Sequence, residues 1–158
     1  MICVMFVCHG NICRSPMAEY IFKKMVKEAG REDDFLIASS ATSGEEIVCG
    51  RGNPIYPPAK AELSRRGVAF KNRRAIRLRK SDYGEYDYFL SMDRYNMRNM
   101  RGIFGDDPYE KCHLLLEFTP EGGEVEDPWY SGDFGKAFED IERGCAAFLA
   151  FVTKEERQ

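Results

Sequence analysis

Little in this chain could hold a metal ion. It has only two histidines, His9 and His113, and no Cys-x2-Cys pair. Cys112 and His113 are adjacent rather than spaced to share one ion, so no metal or other cofactor is expected. No apolar run approaches the roughly 18 residues that cross a bilayer, and membrane association is not expected. The apolar start Met1–Val7 is too short for a secretory leader and has no basic segment before it. Internal repeats and low-complexity stretches are absent. A net charge of 23 − 26 = −3 offers no broad positive field, which argues against nucleic acid as a partner. The six cysteines (Cys3, Cys8, Cys13, Cys49, Cys112, Cys145) lack the density and spacing of a disulfide framework. They read as reduced thiols of a cytoplasmic protein, any special one being catalytic.

What is present suits one folded domain spanning residues 1–158. The chain is 44% apolar and 31% charged, which excludes a disordered tail. Ile2–Val7 is a continuous, partly β-branched apolar run that reads as a buried strand. After Cys8–Arg14, Ser15 reads as a helix cap and Pro16 as a first-turn residue, with the helix running from Met17 to Ala29 and stopped by Gly30. Phe35–Ala41, Asp87–Met92 and Lys111–Leu116 read as further strands. Pro57–Arg66, Asp93–Arg101 (closed by Gly102) and Asp133–Val152 read as helices. This strand–helix alternation predicts an α/β fold: a four-stranded parallel sheet with helices on both faces and right-handed crossovers.

Ligand sites of such sheets lie beyond the carboxyl ends of the strands. The loop Cys8–Ser15 falls at that edge. Two long loops, Thr42–Tyr56 and Glu117–Gly132, belong to the same neighbourhood by their length and glycine content.

Cys8-x5-Arg14 carries the chemistry. The spacing alone is a weak motif, but none of the other five cysteines has an arginine six residues on, and here the cysteine ends a strand while the arginine leads into a helix. Backbone N–H groups at a helix N-terminus, with the helix dipole, make a concavity for a phosphate-like dianion. Arg14 can clamp two oxygens of that dianion side by side, which a lysine cannot. The same field favours the Cys8 thiolate: an ordinary thiol of pKa about 8.5 is only about 3% ionised at pH 7, whereas such surroundings lower thiol pKa to roughly 3.5–7.5. Thiolate attack on a phosphate monoester also needs a general acid for the leaving group. Asp127-Pro128, stiffened by its proline and followed by Trp129-Tyr130, is the candidate, with Trp129 and Tyr130 as walls of the substrate slot.

With these residues in view, the sequence resembles the low-molecular-weight protein tyrosine phosphatases. The resemblance covers nearly the whole chain. It is closest at Val7–Glu19, at Ser39-Ser40-Ala41-Thr42-Ser43, at Ser91-Met92-Asp93 with Asn96, and at Asp127-Pro128-Trp129-Tyr130. The resemblance implies Cys8 as nucleophile, Arg14 as phosphate clamp, Asp127 as general acid, and a phosphate loop that includes His9, Gly10, Asn11, Ile12, Cys13 and Ser15. Asn11, Ser15 and Ser39 would hold the loop in shape, Ser15 also favouring the thiolate. It further implies hydrolysis of phosphotyrosine and aryl phosphates through a phosphocysteine, without metal. Phosphotyrosine-containing proteins or peptides would be its substrates, and a tyrosine kinase a further partner. The resemblance also implies either a Cys8–Cys13 disulfide as an oxidation brake, as in some relatives, or a Cys13 that simply fills the loop, and it marks Tyr130 as a phosphorylation site.

Two departures stand out. Gly44-Glu45 occupies a place where many relatives carry an aromatic, so one wall of the slot is expected to be polar or mobile. After Gly67, where relatives often show a histidine and an Ala-Arg pair, this chain reads Asn72-Arg73-Arg74-Ala75. Other residues have plainer readings. His9 sits at the pocket rim, His113 is structural, and the eight basic residues between Arg65 and Lys80 form a solvated face balanced by the acidic Glu117–Glu142 region. The alternatives on the same fold are arsenate reduction, which needs relay thiols that Asp93–Arg101 does not offer, and phosphoarginine hydrolysis, whose enzymes tend to carry threonine where this chain has Ile12. A phosphocysteine carrier would not need Asp127-Pro128, and a catalytically silent phosphopeptide-binding module would not need Cys8.

Overall fold

A computed structural model describes residues 1–158. In chain order the elements are β1 (Ile2–Cys8), α1 (Arg14–Glu28), β2 (Phe35–Ala41), β3 (Ile47–Val48), β4 (Arg51–Gly52), α2 (Pro57–Arg65), β5 (Tyr88–Ser91), α3 (Arg94–Phe104), β6 (Cys112–Leu114), α4 (Pro128–Ser131) and α5 (Phe134–Glu156). Four strands form one parallel sheet in the order β2-β1-β5-β6, and β3 and β4 make a small hairpin. β1 lies at the centre, with β2 on one side (Cys8 opposite Ala41) and β5 on the other (Val7 opposite Ser91). The chain therefore leaves β1 one way and returns on its other side, and the loop at the tip of β1 sits in the resulting crevice.

The period of two along β1 divides the core. Val4, Phe6 and Cys8 face a large cluster made with α1, α2 and α5, including Phe22, Leu63, Phe138 and Phe148. Met5 and Val7 face a smaller one with Phe89, Met100 and Phe104 against α3. Both faces of β1 are buried, which is why Ile2–Val7 reads as an unbroken apolar run. No helix is long and apolar enough to cross a membrane.

Three expectations need correcting. Ser15 does not cap α1. Cys13 is the capping residue and makes no side-chain bond, and Ser15 is already helical, its hydroxyl turned to Cys8 and Asn11. Pro16 still falls in the first turn, where its missing N–H has no helical acceptor to lose. The helix after β5 runs through Gly102 to Phe104, since Gly105, at φ 82°, supplies the left-handed turn that ends it. The last strand stops at Leu114 because the Glu117 carboxylate takes the Leu114 N–H (2.8 Å) and a 3-10 turn, Leu115–Phe118, follows.

Candidate active site

The loop between β1 and α1 is held from outside by its carbonyls. Thr42 N–H donates to Cys8 O (3.0 Å), Ser43 N–H to His9 O (3.0 Å), Tyr56 N–H to Ile12 O (2.8 Å) and Met17 N–H to Cys13 O (3.1 Å). The N–H groups of Gly10, Ile12, Cys13 and Arg14 donate to no other group of the chain. Orphan donors at the start of a helix, beside a cavity, are what an anion binds.

Cys8 is almost wholly buried. Its sulfur has Ser15 Oγ at 2.9 Å and receives the N–H groups of Asn11 (3.3 Å) and Ser15 (3.4 Å). The direction of the Ser15 contact follows from its neighbours. Asn11 Oδ1 accepts from Ile76 N–H (3.0 Å) and from Arg73 Nη2, so its nitrogen faces the other way and donates to Ser15 Oγ (2.8 Å) and Ser39 Oγ (3.0 Å). Ser39 in turn donates to Glu19 Oε1 (2.6 Å). Ser15 has one proton, and with its oxygen already accepting from Asn11 that proton is directed at the sulfur. Three donors converge on Cys8 Sγ, the surroundings a thiolate requires. Asn11 itself is in the left-handed region (φ 58°), a conformation asparagine tolerates better than most residues.

Arg14 is buried, with Nη1 donating to Asp93 Oδ2 (2.7 Å) and Val125 O (2.8 Å). Its Nη2 lies 3.4 Å from Asp127 Oδ2. Burial opposes its charge, but the Cys8 sulfur, Asp93 and Asp127 around it outweigh burial and hold the guanidinium protonated, above its ordinary value. Asp127 caps α4, taking the Trp129 N–H at 3.0 Å, and the loop that carries it is tied to the end of β5 by Val125 N–H to Met92 O (2.9 Å).

A narrow cavity of about 160 Å³ opens over the sulfur, lined by Cys8, His9, Gly10, Ile12, Cys13, Arg14, Glu45, Glu46, Asp127, Trp129 and Tyr130. At the mouth His9 Nε2 pairs with Glu45 (3.0 Å). Trp129 lines the opening, is more than half exposed and leans on Tyr56 (ring centroids 4.9 Å apart). Cys13 shares the cavity but not the donors: burial first, then the nearby Cys8 sulfur and Asp127, push its thiol well up. A larger cavity of about 530 Å³ between α1 and residues 67–71 contains no thiol, so the chemistry belongs to the smaller one.

Ten of the thirteen site residues expected from sequence thus line one cavity. Asn11, Ser15 and Ser39 do not. Their side chains are buried behind the loop, and of the phosphate-loop positions Asn11 and Ser15 reach the sulfur only through N–H groups and the Ser15 hydroxyl. Four residues are unassigned by the sequence: Glu46, which lines the cavity itself, and Asp93, Glu19 and Arg73 beside it. Asp93 and Glu19 lie in segments that carried the resemblance, but nothing in their spacing shows that they face Arg14 and Ser39. Arg73 departs from the solvated basic face in which it is expected, although Arg65, Lys71, Arg74, Arg77, Arg79 and Lys80 are exposed as that reading requires. Arg65 and Arg66 bind Glu62, Arg79 binds Asp82, and Arg74 donates to Gly52 O. Only Arg66 reaches the acidic region, at Glu139 (3.3 Å). Arg73 turns inward, onto Asn11 O (2.7 Å), Asn11 Oδ1 and Ser39 Oγ (3.2 Å).

Comparison with known proteins agrees with this geometry. Residues 3–158 match the family described as low molecular weight phosphotyrosine protein phosphatase. The low molecular weight protein-tyrosine-phosphatase YfkJ of Bacillus subtilis is 34% identical over 99% of both chains. The human low molecular weight phosphotyrosine protein phosphatase is 36% identical over 92% of each. The crystal structure of YfkJ superposes with a TM-score of 0.91, covering 98% of this chain and 96% of that one. A sulfur under converging donors, a buried arginine beside it and an aspartate across the opening thus stand in a chain matched from end to end. It belongs to the low molecular weight phosphotyrosine protein phosphatase family.

Proposed function

We propose that the chain hydrolyses phosphotyrosine in proteins or peptides, and aryl phosphates generally, through a phosphocysteine. The observation that carries this reading is the convergence of three donors on Cys8 Sγ at the floor of a cavity whose far wall is Asp127. The phosphate dianion enters against the free N–H groups of Gly10, Ile12, Cys13 and Arg14. Arg14 Nη2 exchanges its 3.4 Å contact with Asp127 for phosphate oxygens, while Asp93 and Val125 O keep the other end of the guanidinium in place. Cys8 Sγ attacks phosphorus in line. The P–O bond to the aryl group breaks, and Asp127 gives the departing oxygen its proton. Asp127, now a carboxylate, takes a proton from water, whose oxygen attacks the phosphocysteine; the S–P bond breaks and the thiolate returns. Trp129, Tyr130 and Ile12 flank the aryl ring, and His9 with Glu45 makes the polar side of the slot.

Arsenate reduction gains no support, since α3 brings no cysteine to relay a disulfide. The dependence on a reduced thiol suits a cytoplasmic enzyme, opposed by the tyrosine kinase that makes its substrates. The test is hydrolysis of an aryl phosphate in the presence of a chelator by wild type and by Cys8→Ser. The serine variant is expected to be inactive; equal rates would refute the reading. Asp127→Ala should slow turnover by about 10²–10⁴-fold for a poor leaving group and much less for an activated one.

A further inference from the structure

We infer that Arg73 is a positioning residue for the phosphate loop: its guanidinium orients Asn11 and so directs the hydrogen-bond chain that ends on the Cys8 sulfur. The inference rests on the reading of Cys8 as nucleophile and adds a residue that the loop motif does not contain.

Arg73 lies 59 residues beyond the loop's own arginine, Arg14, yet spends its donors on the loop. Nη1 takes the main-chain oxygen of Asn11 and Nη2 takes the side-chain oxygen of the same residue together with Ser39 Oγ. One planar fork therefore fixes both ends of Asn11, a geometry that suits arginine and that an ammonium cannot span. No carboxylate lies within salt-bridge distance of Arg73, unlike Arg65, Arg66 and Arg79 of the same basic stretch. Burial works against its charge, and Glu19, Tyr20 and the Cys8 sulfur work for it.

The fork has a logical consequence for proton placement. With Arg73 and Ile76 both donating to Asn11 Oδ1, the amide nitrogen can face only Ser15 and Ser39. Ser15 is then left to donate to sulfur rather than accept from it. Take Arg73 away and Asn11 O loses the donor it has, Asn11 Oδ1 keeps one of two, and a positive charge behind the sulfur is gone. The neighbouring arginine shows that the orientation is specific: Arg74 points to the other side, onto Gly52 O (3.0 Å).

The test is Arg73→Met, read by iodoacetate alkylation of Cys8 across pH, with the labelled residue identified by mass spectrometry, and by steady-state hydrolysis of an aryl phosphate. The acid limb of the alkylation profile should move to higher pH. The loss in kcat/KM should reach up to about 100-fold, the cost of misplacing a reacting geometry by about 1 Å, and should fall mainly on kcat. Arg73→Lys returns the charge without the fork and should recover part of both; a lysine variant no better than methionine would overturn the electrostatic half of the inference. An Arg73→Met enzyme with the wild-type alkylation profile would overturn the whole, whether or not its Tm falls, because a purely structural brace lowers Tm without moving that profile. Should Arg73→Met fail to fold, Arg73→Gln is read in the same way. Alkylation needs no phosphate ester, so a wild type inert toward aryl phosphates would defeat the hydrolase reading and leave this measurement standing.

Discussion

Gly52→Ala should cripple the enzyme from outside the cavity. Gly52 ends the β3–β4 hairpin and lies against the segment that carries Arg73 and Ile76. A Cβ built there would stand 1.9 Å from Ala75 O and 2.8 Å from Ala75 N, where real Cβ contacts do not fall below 3.0 Å. Both atoms are backbone, so no rotamer change relieves the clash, and the hairpin and residues 73–76 must part by about an ångström. Ala75 N–H to Asn53 O (2.8 Å), Ala41 N–H to Ile76 O (2.8 Å) and Ile76 N–H to Asn11 Oδ1 (3.0 Å) lie in the path of that shift. Overpacking costs about 1–3 kcal/mol, and each stretched bond adds about 1 kcal/mol; with three bonds stretched the loss comes to about 4–6 kcal/mol. Misplacing a reacting geometry by 1 Å costs about 10²-fold in rate. Urea unfolding gives the first quantity and aryl phosphate hydrolysis below the unfolding transition gives the second. Gly84→Ala, which meets nothing within 4 Å at an ordinary φ, is the control. A Gly52→Ala enzyme as stable as the control and within twofold of wild-type activity would refute the link between hairpin and phosphate loop.

Gly144→Ala sets helix propensity against packing. Alanine favours the interior of α5 by about 1 kcal/mol, but its Cβ would meet Leu115 Cγ at 2.6 Å, a fully buried branch point that cannot swing aside. Overpacking of about 1–3 kcal/mol should win, and a rise in Tm would show that Leu115 yields. Asp107 should make stability acid-sensitive. Burial raises its pKa, but the Tyr83 hydroxyl (2.5 Å) and the N–H groups of Lys111 (2.8 Å) and Cys112 (3.1 Å) outweigh burial and hold it below the ordinary carboxylate value. Its stabilisation is therefore full above pH about 4 and is lost as pH falls through the lower, folded-state value. Asp107→Asn should be less stable than wild type at pH 7, with the gap closing below pH 4; a gap constant from pH 7 to pH 3 would contradict this. Glu45→Trp replaces the polar wall with an aromatic face worth about 0.5–1.5 kcal/mol against a ring. It should lower KM for aryl phosphates about 2–10-fold with little change in kcat; an unchanged KM would show that this wall does not touch the ring.

The chain's sequence was sufficient for whatever rests on local order. The unbroken, partly β-branched apolar run Ile2–Val7 announces a buried strand. Cys8-x5-Arg14 followed by a helix start announces an anion site, because a strand tip and a helix N-terminus joined by five residues must bring the thiol and the orphan amides together. Asp127-Pro128 in a long loop reads as an acid because proline and the following aromatics mark the segment. Sequence misjudged Ser15, whose capping preference is overridden by a sulfur and an asparagine amide that only the folded loop presents. Tertiary structure alone decided that Arg14 is gripped by Asp93 and Val125 O, 79 and 111 residues away, and that Arg73 turns in while Arg74 turns out. A guanidinium carries the same composition and spacing in solvent as in a core. Which of eight nearby cations finds unpaired acceptors depends on how β2, the hairpin and residues 73–76 pack, and that is settled by contacts between residues far apart in the chain.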